Sequence, residues 1–252
     1  MANILIYFLK KDIKSRYAGS GLGLIWAFLL PLFQIFLFWF VFAGILKARP
    51  FPGSEIPYLH FLLSSFFCWL AFSEGLMRST TTILENSEIV KKVSFPNIVL
   101  PISATLSSYA HHLIGLAIFL LIYTVTVSLH FSFVFIVPVL ALQIAFSAGL
   151  GMILASLLPY FRDLGQIMGY VLQGTFFLSP VMYSIDLIPE KLKFLVLLNP
   201  FTYFAVSYQK MILFKKPPDL FHFGLVLLFS LFALAVGTYI FRRLKDGFAD
   251  VL

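Results

Sequence analysis

The chain has 252 residues, of which 60% are hydrophobic, 18% aromatic and only 12% charged, with a mean hydropathy of +0.96. An ordinary globular protein is about 45–50% apolar and about 25% charged, so these proportions exclude a soluble catalytic domain and a disordered linker alike. The net charge of +7, from 18 Lys plus Arg against 11 Asp plus Glu, suits basic residues at the cytoplasmic border of a membrane better than a nucleic-acid surface, since they lie between long apolar runs.

A helix that crosses a bilayer takes about 20 apolar residues, so a chain of this length holds about six crossings and little else. The first unit, residues 1–21, sets Lys10, Lys11, Lys14 and Arg16 among Leu5, Phe8 and Leu9. Without a small-residue cleavage site after a short apolar core, it does not read as a signal peptide. It predicts an amphipathic helix in the headgroup region, with a solvated basic tail as the alternative.

Residues 22–252 form the second unit, an all-α transmembrane domain. Leu22–Leu46 carries no charge and has Trp26 and Trp39 towards its ends, as interfacial anchors would sit, and is span one. After a proline-rich turn over Lys47–Pro57 comes span two, Tyr58–Met77, then a charged inner loop, Arg78–Pro96. Ile98–Val127 and Phe131–Leu158 are spans three and four, joined by the Ser128–His130 turn. The short break Pro159–Asp163 leads into span five, Leu164–Tyr183, and Leu220–Phe241 is span six. Between the last two, Ser184–Asp219 holds apolar pieces too short to cross, Phe194–Leu198 and Phe201–Phe214, which predicts an outer re-entrant helical pair breaking at Asn199-Pro200. Basic residues crowd the N-terminal arm, the Arg78–Pro96 loop and the tail, which puts both termini in the cytoplasm.

The chemistry-bearing patterns are few. No Gly-x-x-x-x-Gly-Lys-Ser/Thr occurs, and the cluster Gly19, Gly21 and Gly23 lacks the lysine, so ATP hydrolysis is not expected of this chain. Carboxylate pairs, a nucleophile elbow and His–Cys clusters are likewise missing from the sequence, so neither catalytic residues nor a metal site is assigned. The lone cysteine, Cys68, excludes an intrachain disulfide. Glu74 and Arg78 stand four apart with the acid first, the spacing of a mutually neutralising pair near the inner border; a proton site is the other reading. His111 and His112 are adjacent and point about 100° apart on a helix, which makes interhelical hydrogen bonding the expected role for at least one of them. Ser147-xxx-Gly151, Gly151-xxx-Ala155 and Gly165-xxx-Gly169 permit close helix approach.

Span five carries a single stripe, Gln166, Tyr170, Gln173 and Phe177, at the i, i+4, i+7, i+11 spacing of one helix face. Amides in hydrocarbon need partners: the stripe is either buried glue between helices or the wall of a wet path, where amides bond sugar hydroxyls and aromatic faces slide along the rings. Span one has an aromatic stripe of its own, Trp26, Phe33, Phe36 and Phe40, which serves equally as a channel wall or as a lipid-facing surface.

Four segments resemble the ABC type-2 permeases, in particular the branch that exports lipid-linked polysaccharide (O-antigen or capsule) or teichoic acid. They are Asp12-Ile-Lys-Ser-Arg-Tyr17 with Gly21-Leu-Gly-Leu-Ile-Trp26 and Pro31; Asn86-Ser-Glu-Ile-Val-Lys-Lys-Val-Ser-Phe-Pro96 with Pro101; Tyr160-Phe-Arg-Asp-Leu-Gly-Gln166; and Ser179-Pro-Val-Met-Tyr183 with Asn199-Pro200. The resemblance implies a half-transporter of the bacterial inner membrane: two copies of this chain pair around a central channel, and two ATP-binding cassette subunits, which carry ATP and Mg, dock beneath. No cofactor is then expected on this chain, and no nucleic acid among its partners; the partners are the second copy, the ATPases, a lipid-linked glycan and membrane lipids. It implies ATPase coupling through Glu85, Asn86, Glu88, Lys91, Lys92, Phe95 and Pro96, with Arg162 and Asp163 as a second inner contact, and an outer gate at Asn199, Pro200 and Tyr203. A departure lies at Tyr208-Gln209-Lys210, where the family often has a Tyr-Arg pair. The substrate class comes from the resemblance alone. An exporter of a small drug or lipid with the same fold is one alternative and a non-transporting membrane scaffold or channel another, of which the channel version is disfavoured by the scarcity of intramembrane charge.

Overall fold

The computed structural model describes residues 2–17, 19–51, 53–128 and 130–252. Pro52 and Leu129, which belong to the expected turns over Lys47–Pro57 and Ser128–His130, lie outside the described residues, as do Met1 and Ala18. Every regular element among the described residues is helical. In chain order these are α1 (Ala2–Tyr17), α2 (Trp26–Phe38), a wider-turned continuation over Trp39–Ile45, α3 (Tyr58–Glu85), α4 (Ser87–Lys92), α5 (Val99–Thr126), α6 (Ile136–Leu157), α7 (Leu164–Phe177), α8 (Glu190–Leu198), α9 (Pro200–Ile212), α10 (Leu220–Leu244) and α11 (Phe248–Val251).

Five of these segments are long and apolar enough to cross a membrane: Trp26–Ile45, Tyr58–Glu85, Val99–Thr126, Phe131–Leu157 and Leu220–Gly247. The fifth crossing read from the sequence is shorter than expected, because α7 stops after 14 residues. At 1.5 Å per residue it is about 21 Å long, against a hydrocarbon core of about 30 Å. The stop has a local cause. Pro180 has no N–H to continue the ladder, and side chains take over the orphaned carbonyls at the helix end. Ser179 Oγ donates to Thr175 O (2.7 Å), Tyr183 Oη to Phe177 O (2.8 Å), and Asn199 Nδ2 to Leu178 O (3.3 Å) and Ser179 Oγ (2.8 Å).

The second span errs the other way. Residues 78–85, expected in an aqueous loop, are the last turns of α3. Ser79 and Thr80 are fully buried, with their hydroxyls on the carbonyls of Pro101 (2.9 Å) and Leu76 (2.7 Å), so these two hydroxyls stay satisfied while the stretch remains helical against α5.

Small residues set the spacing of the bundle, since close backbone approach is what drives helices together in a medium as apolar as their side chains. A methyl group at Gly151 would sit 2.8 Å from Ser79 Cβ, so the expected small-residue stripe of α6 is used, against α3. A larger residue at Gly149 would strike the Ala233 backbone of α10, and one at Gly237 the Gly149 carbonyl; these contacts, unforeseen in the sequence, hold α6 and α10 side by side. Gly169 has nothing within 4 Å, so the Gly165-xxx-Gly169 spacing brings no helix close.

The helices deliver their polar segments to two ends. At one, Phe8 of α1, Ile89 and Val90 of α4, Phe95, Phe241 of α10 and Phe248 of α11 share an apolar cluster, and Tyr160 Oη reaches Leu244 O (2.9 Å). At the other, Tyr58 Oη donates to Met182 O (2.7 Å) and Ser132 Oγ to Met211 O (2.7 Å). The described ends of the chain, α4 and the Pro159–Asp163 break therefore lie together, as the charge distribution anticipated.

Candidate functional site

The stripe on α7 is not interior glue within the protomer. Gln166, Tyr170, Gln173 and Phe177 are all exposed, Tyr170 at 79% and Phe177 at 60%, while the opposite face of α7 buries Met168 and Leu172 in the core. On α2 and its continuation, Phe33, Phe36 and Phe40 are exposed as well, and the rings of Phe36 and Phe40 stack with centroids 6.3 Å apart. One residue of α3 brings the two elements to a common side: Phe66 is met by Phe38 of α2 at 4.9 Å and by Phe176 of α7 at 6.4 Å. The two stripes thus flank α3, and both leave their side chains uncovered by the rest of the chain.

Buried amides lie elsewhere, Gln143 and Gln209 among them. Gln143 of α6 is fully enclosed; its Nε2 donates to Cys68 O (2.8 Å) and its Oε1 accepts from Tyr208 Oη (2.7 Å). Tyr109 Oη and Ser147 Oγ lie 2.7 Å apart, and Ser147 Oγ donates to Gln143 O (2.8 Å). The network ties α3, α5, α6 and α9, as a polar group without water requires. A lone glutamine in the middle of span four was its signal in the sequence.

A second network anchors α1. Arg16 Nη1 lies 2.5 Å from Glu74 Oε1, its Nε donates to Ser107 Oγ (3.2 Å) and its Nη2 to Ser108 Oγ (3.0 Å). His112 Nε2 is 2.5 Å from the other Glu74 oxygen, and Arg78 pairs with Asp12. The expected Glu74–Arg78 pair is thereby corrected: each residue takes its partner from α1, because the amphipathic arm packs across α5 and presents Asp12 and Arg16 one helical turn apart. His112 makes the interhelical bond expected of one of the two histidines.

At the α1 end, the short helix expected between Glu85 and Pro96 is present as α4. Glu85, Glu88, Lys91, Lys92 and Pro96 are exposed, as are Arg162 and Asp163 at the head of α7, while Glu88 pairs with Lys92. Phe95 stacks on Phe8 of α1 (5.5 Å, planes 23° apart), and Asn86 Oδ1 accepts from Lys11 Nζ (3.1 Å). The residues flanking α4 are thus held to α1, while α4 itself packs on α11 and the end of α3 and leaves Glu88, Lys91 and Lys92 exposed.

At the far end, α8 and α9 meet at Asn199-Pro200, where the helix break was expected. Asn199 Oδ1 accepts from Phe201 N (3.0 Å), an N-cap with Pro200 at the first helical position. Through Nδ2 the same side chain closes the end of α7, so the break is tied to the α7 terminus. Tyr203 Oη donates to Leu197 O (2.9 Å). At the position of the familial arginine, Gln209 Nε2 donates to Pro180 O (2.6 Å). Lys210 pairs instead with Asp219, whose carboxyl is held below its ordinary value by the ammonium's hydrogen bond.

Long apolar helices around a largely apolar core that encloses a few hydrogen-bonded polar groups, with one ion cluster among them, make a multi-pass membrane protein. The chain belongs to the ABC-2 type transporter family, whose profile matches residues 4–213. It is 30% identical to the O-antigen export system permease protein RfbA of Klebsiella pneumoniae, over 99% of this chain and 95% of the relative. It is 27% identical to the protein of that name from Myxococcus xanthus, over 98% and 94%. It is also 22% identical to the polysialic acid transport protein KpsM of Escherichia coli, over 94% and 92%.

Proposed function

We propose that the chain is the permease subunit of an ATP-driven exporter that carries a lipid-linked polysaccharide across the bacterial inner membrane, with the α1 and α4 end in the cytoplasm. The reading is carried by near full-length similarity to export permeases, together with the uncovered amide and aromatic face of α7 beside α2. Two copies would close those faces around a shared path. In that path Gln166 and Gln173 offer hydrogen bonds without a fixed charge, and Tyr170, Phe177, Phe33, Phe36 and Phe40 offer shallow ring contacts. A purely apolar wall would strip hydroxyls of water at about 1–3 kcal/mol for each bond left unmade.

In this reading α1 lies at the membrane interface, and α7 with the segment to Tyr183 makes span five, so that the crossings number six. The α8–α9 pair enters and leaves on the outer side as a gate over the path, with Asn199, Pro200 and Tyr203 at its bend. ATP and Mg belong to two partner subunits, which grip the end of α3 and α4 through Glu85, Glu88, Lys91 and Lys92 and touch Arg162 and Asp163; Asn86, Phe95 and Pro96 hold α4 in place for them.

Depletion of the chain should make lipid-linked glycan accumulate in the membrane, read by mass spectrometry. Gln173→Leu should reduce export while assembly and basal ATP hydrolysis of the complex persist. An unchanged lipid-linked glycan pool on depletion would overturn the reading.

A further inference from the structure

α4 carries contacts proposed for the ATPase, yet it has little of its own to keep it in place. It is six residues long and none of its side chains is fully buried. In water a helix shorter than about 12–15 residues is marginal by itself. Its inward side chains, Ile89 and Val90, pack into the apolar cluster at this end of the bundle, so its position is set by whatever else fills that cluster.

Much of the filling comes from the segment after α10. A tight turn over Lys245–Gly247 leads into α11, which touches α4. Phe248 is 1% exposed and shares the cluster with Ile89 and Val90, with Phe241 of α10 and with Met152 and Ala155 of α6. Its ring meets Phe241 edge to face at 5.6 Å and lies 6.4 Å from the ring of Tyr160. Tyr160 belongs to the Pro159–Asp163 break and donates through Oη to Leu244 O (2.9 Å) at the end of α10. A Cβ at Gly247 would lie 2.4 Å from that hydroxyl, so the turn before α11 and the break are fitted to each other.

Phe248 thus stands between the two stretches offered to the ATPase, with Ile89 and Val90 on one side and Tyr160 on the other. α1 supplies a separate hold on the residues flanking α4, through Phe8 and Lys11, and leads by Arg16 to α3 and α5. Motion imposed on a short helix reaches the bundle only through the side chains that pack it there. The route from α4 to α6, α10 and the break passes through Phe248.

We infer that α11 is a brace, with Phe248 as its positioning residue, that locks α4 to the Pro159–Asp163 break so that the ATPase meets one body, and that ties this body to the α6–α10 pair. This deepens the export reading and rests on it for the identity of the partner.

The test uses the full chain with its ATPase partner in nanodiscs, in a Cys68→Ser background. Spin labels at Val93→Cys and Phe161→Cys, both exposed and outside the proposed ATPase contacts, report the separation of α4 from the break within one chain when labelled copies are diluted with unlabelled ones. The native chain should give one narrow distance distribution. Phe248→Ala should broaden it and, with the ATPase still bound, lower the glycan exported per ATP hydrolysed by about two- to thirtyfold, the range of mutational effects on coupling between sites. Phe248→Leu, which keeps an apolar contact, should restore both. Where Phe248→Ala does not fold, Gly247→Ala should broaden the distribution by displacing the Tyr160 hydroxyl. Adding Tyr160→Phe should narrow it again, because the nearest ring carbon lies 3.6 Å from the new methyl group. A distribution that neither Phe248→Ala nor Gly247→Ala changes, or native export per ATP in a chain whose distribution has broadened, would overturn the brace. ATPase binding should also immobilise the label at position 93. A label equally mobile with and without the ATPase would instead sink the docking on α4, while a distribution broadened by Phe248→Ala would leave the brace standing.

Discussion

α2 and α3 are neighbouring helices that the sequence treats alike as spans, yet within the protomer 72% of the apolar window of α3 is buried and only 6% of that of α2. The buried one is the less apolar, for α3 carries Glu74, Arg78 and a run of serines and threonines, while α2 is uncharged. In a soluble protein the order would be reversed. In lipid, apolar side chains gain nothing by leaving their solvent, whereas small and hydroxylated residues gain close packing and hydrogen bonds by facing another helix. α3 therefore sits at the centre, touching α5, α6, α7 and α9, and α2 keeps its aromatic face for something outside this chain.

The comparison breaks most visibly by substitution in the close-packed interior. Phe72 of α3 stacks on Phe146 with planes 4° apart, so Phe72→Ala should cost about 3–5 kcal/mol. Gly149→Leu, which overpacks the α6–α10 crossing, should reach the upper end of about 1–3 kcal/mol or exceed it. Both should appear as loss of a monodisperse peak in detergent; intact, equally stable protein would contradict the close contacts.

Next in size is the ion network. Arg16→Ala or Glu74→Ala strips a partner from a mostly enclosed charge and should destabilise by up to about 3 kcal/mol, the low end for buried pairs, since Glu74 keeps some access to water. A double-mutant cycle in chemical unfolding should find Glu74 coupled to Arg16 and to His112, with a smaller coupling to Arg78. Stronger coupling to Arg78 would restore the four-residue spacing as the true pair.

Phe36→Ala should be nearly silent in the same unfolding measurement, within about 0.5 kcal/mol as for an exposed site, and yet weaken pairing of two copies, read by cross-linking in native membranes. A stability loss matching that of Phe72→Ala would mean that α2 is packed within the protomer after all.

The smallest effect is at the Lys210–Asp219 pair. Because the lysine lowers the Asp219 pKa beneath its ordinary 3.8, the contact favours the folded arrangement above that pH. It is lost only as pH falls through the depressed value, so neutral and mildly acidic buffers should leave it intact. A fluorescent thiol label at Phe214→Cys in a Cys68→Ser background should report loosening only once the pH falls through that depressed value. Asp219→Asn should loosen it at all pH values.

Much of this was legible in the chain itself. Runs of uncharged residues such as 22–46 can only be helices in lipid, because no other local structure satisfies its own backbone there. Asn199-Pro200 marks a helix start, since the asparagine caps and the proline needs no N–H at the first position, and the charged stretch holding Lys91 and Lys92 must emerge into water. What the sequence could not settle is partnership between elements distant along it. Glu74 and Arg78 have ideal spacing for each other, but Arg16 arrives from 58 residues away and offers a guanidinium whose remaining donors meet Ser107 and Ser108. Gln143 and Gln173 are the same residue type on apolar helices, and only the packing of α3 and α9 over α6 encloses the first and leaves the second open. Periodicity tells which residues share a face, and local chemistry tells where a helix ends; which face meets protein and which meets lipid is decided by the sum of close contacts over the whole bundle.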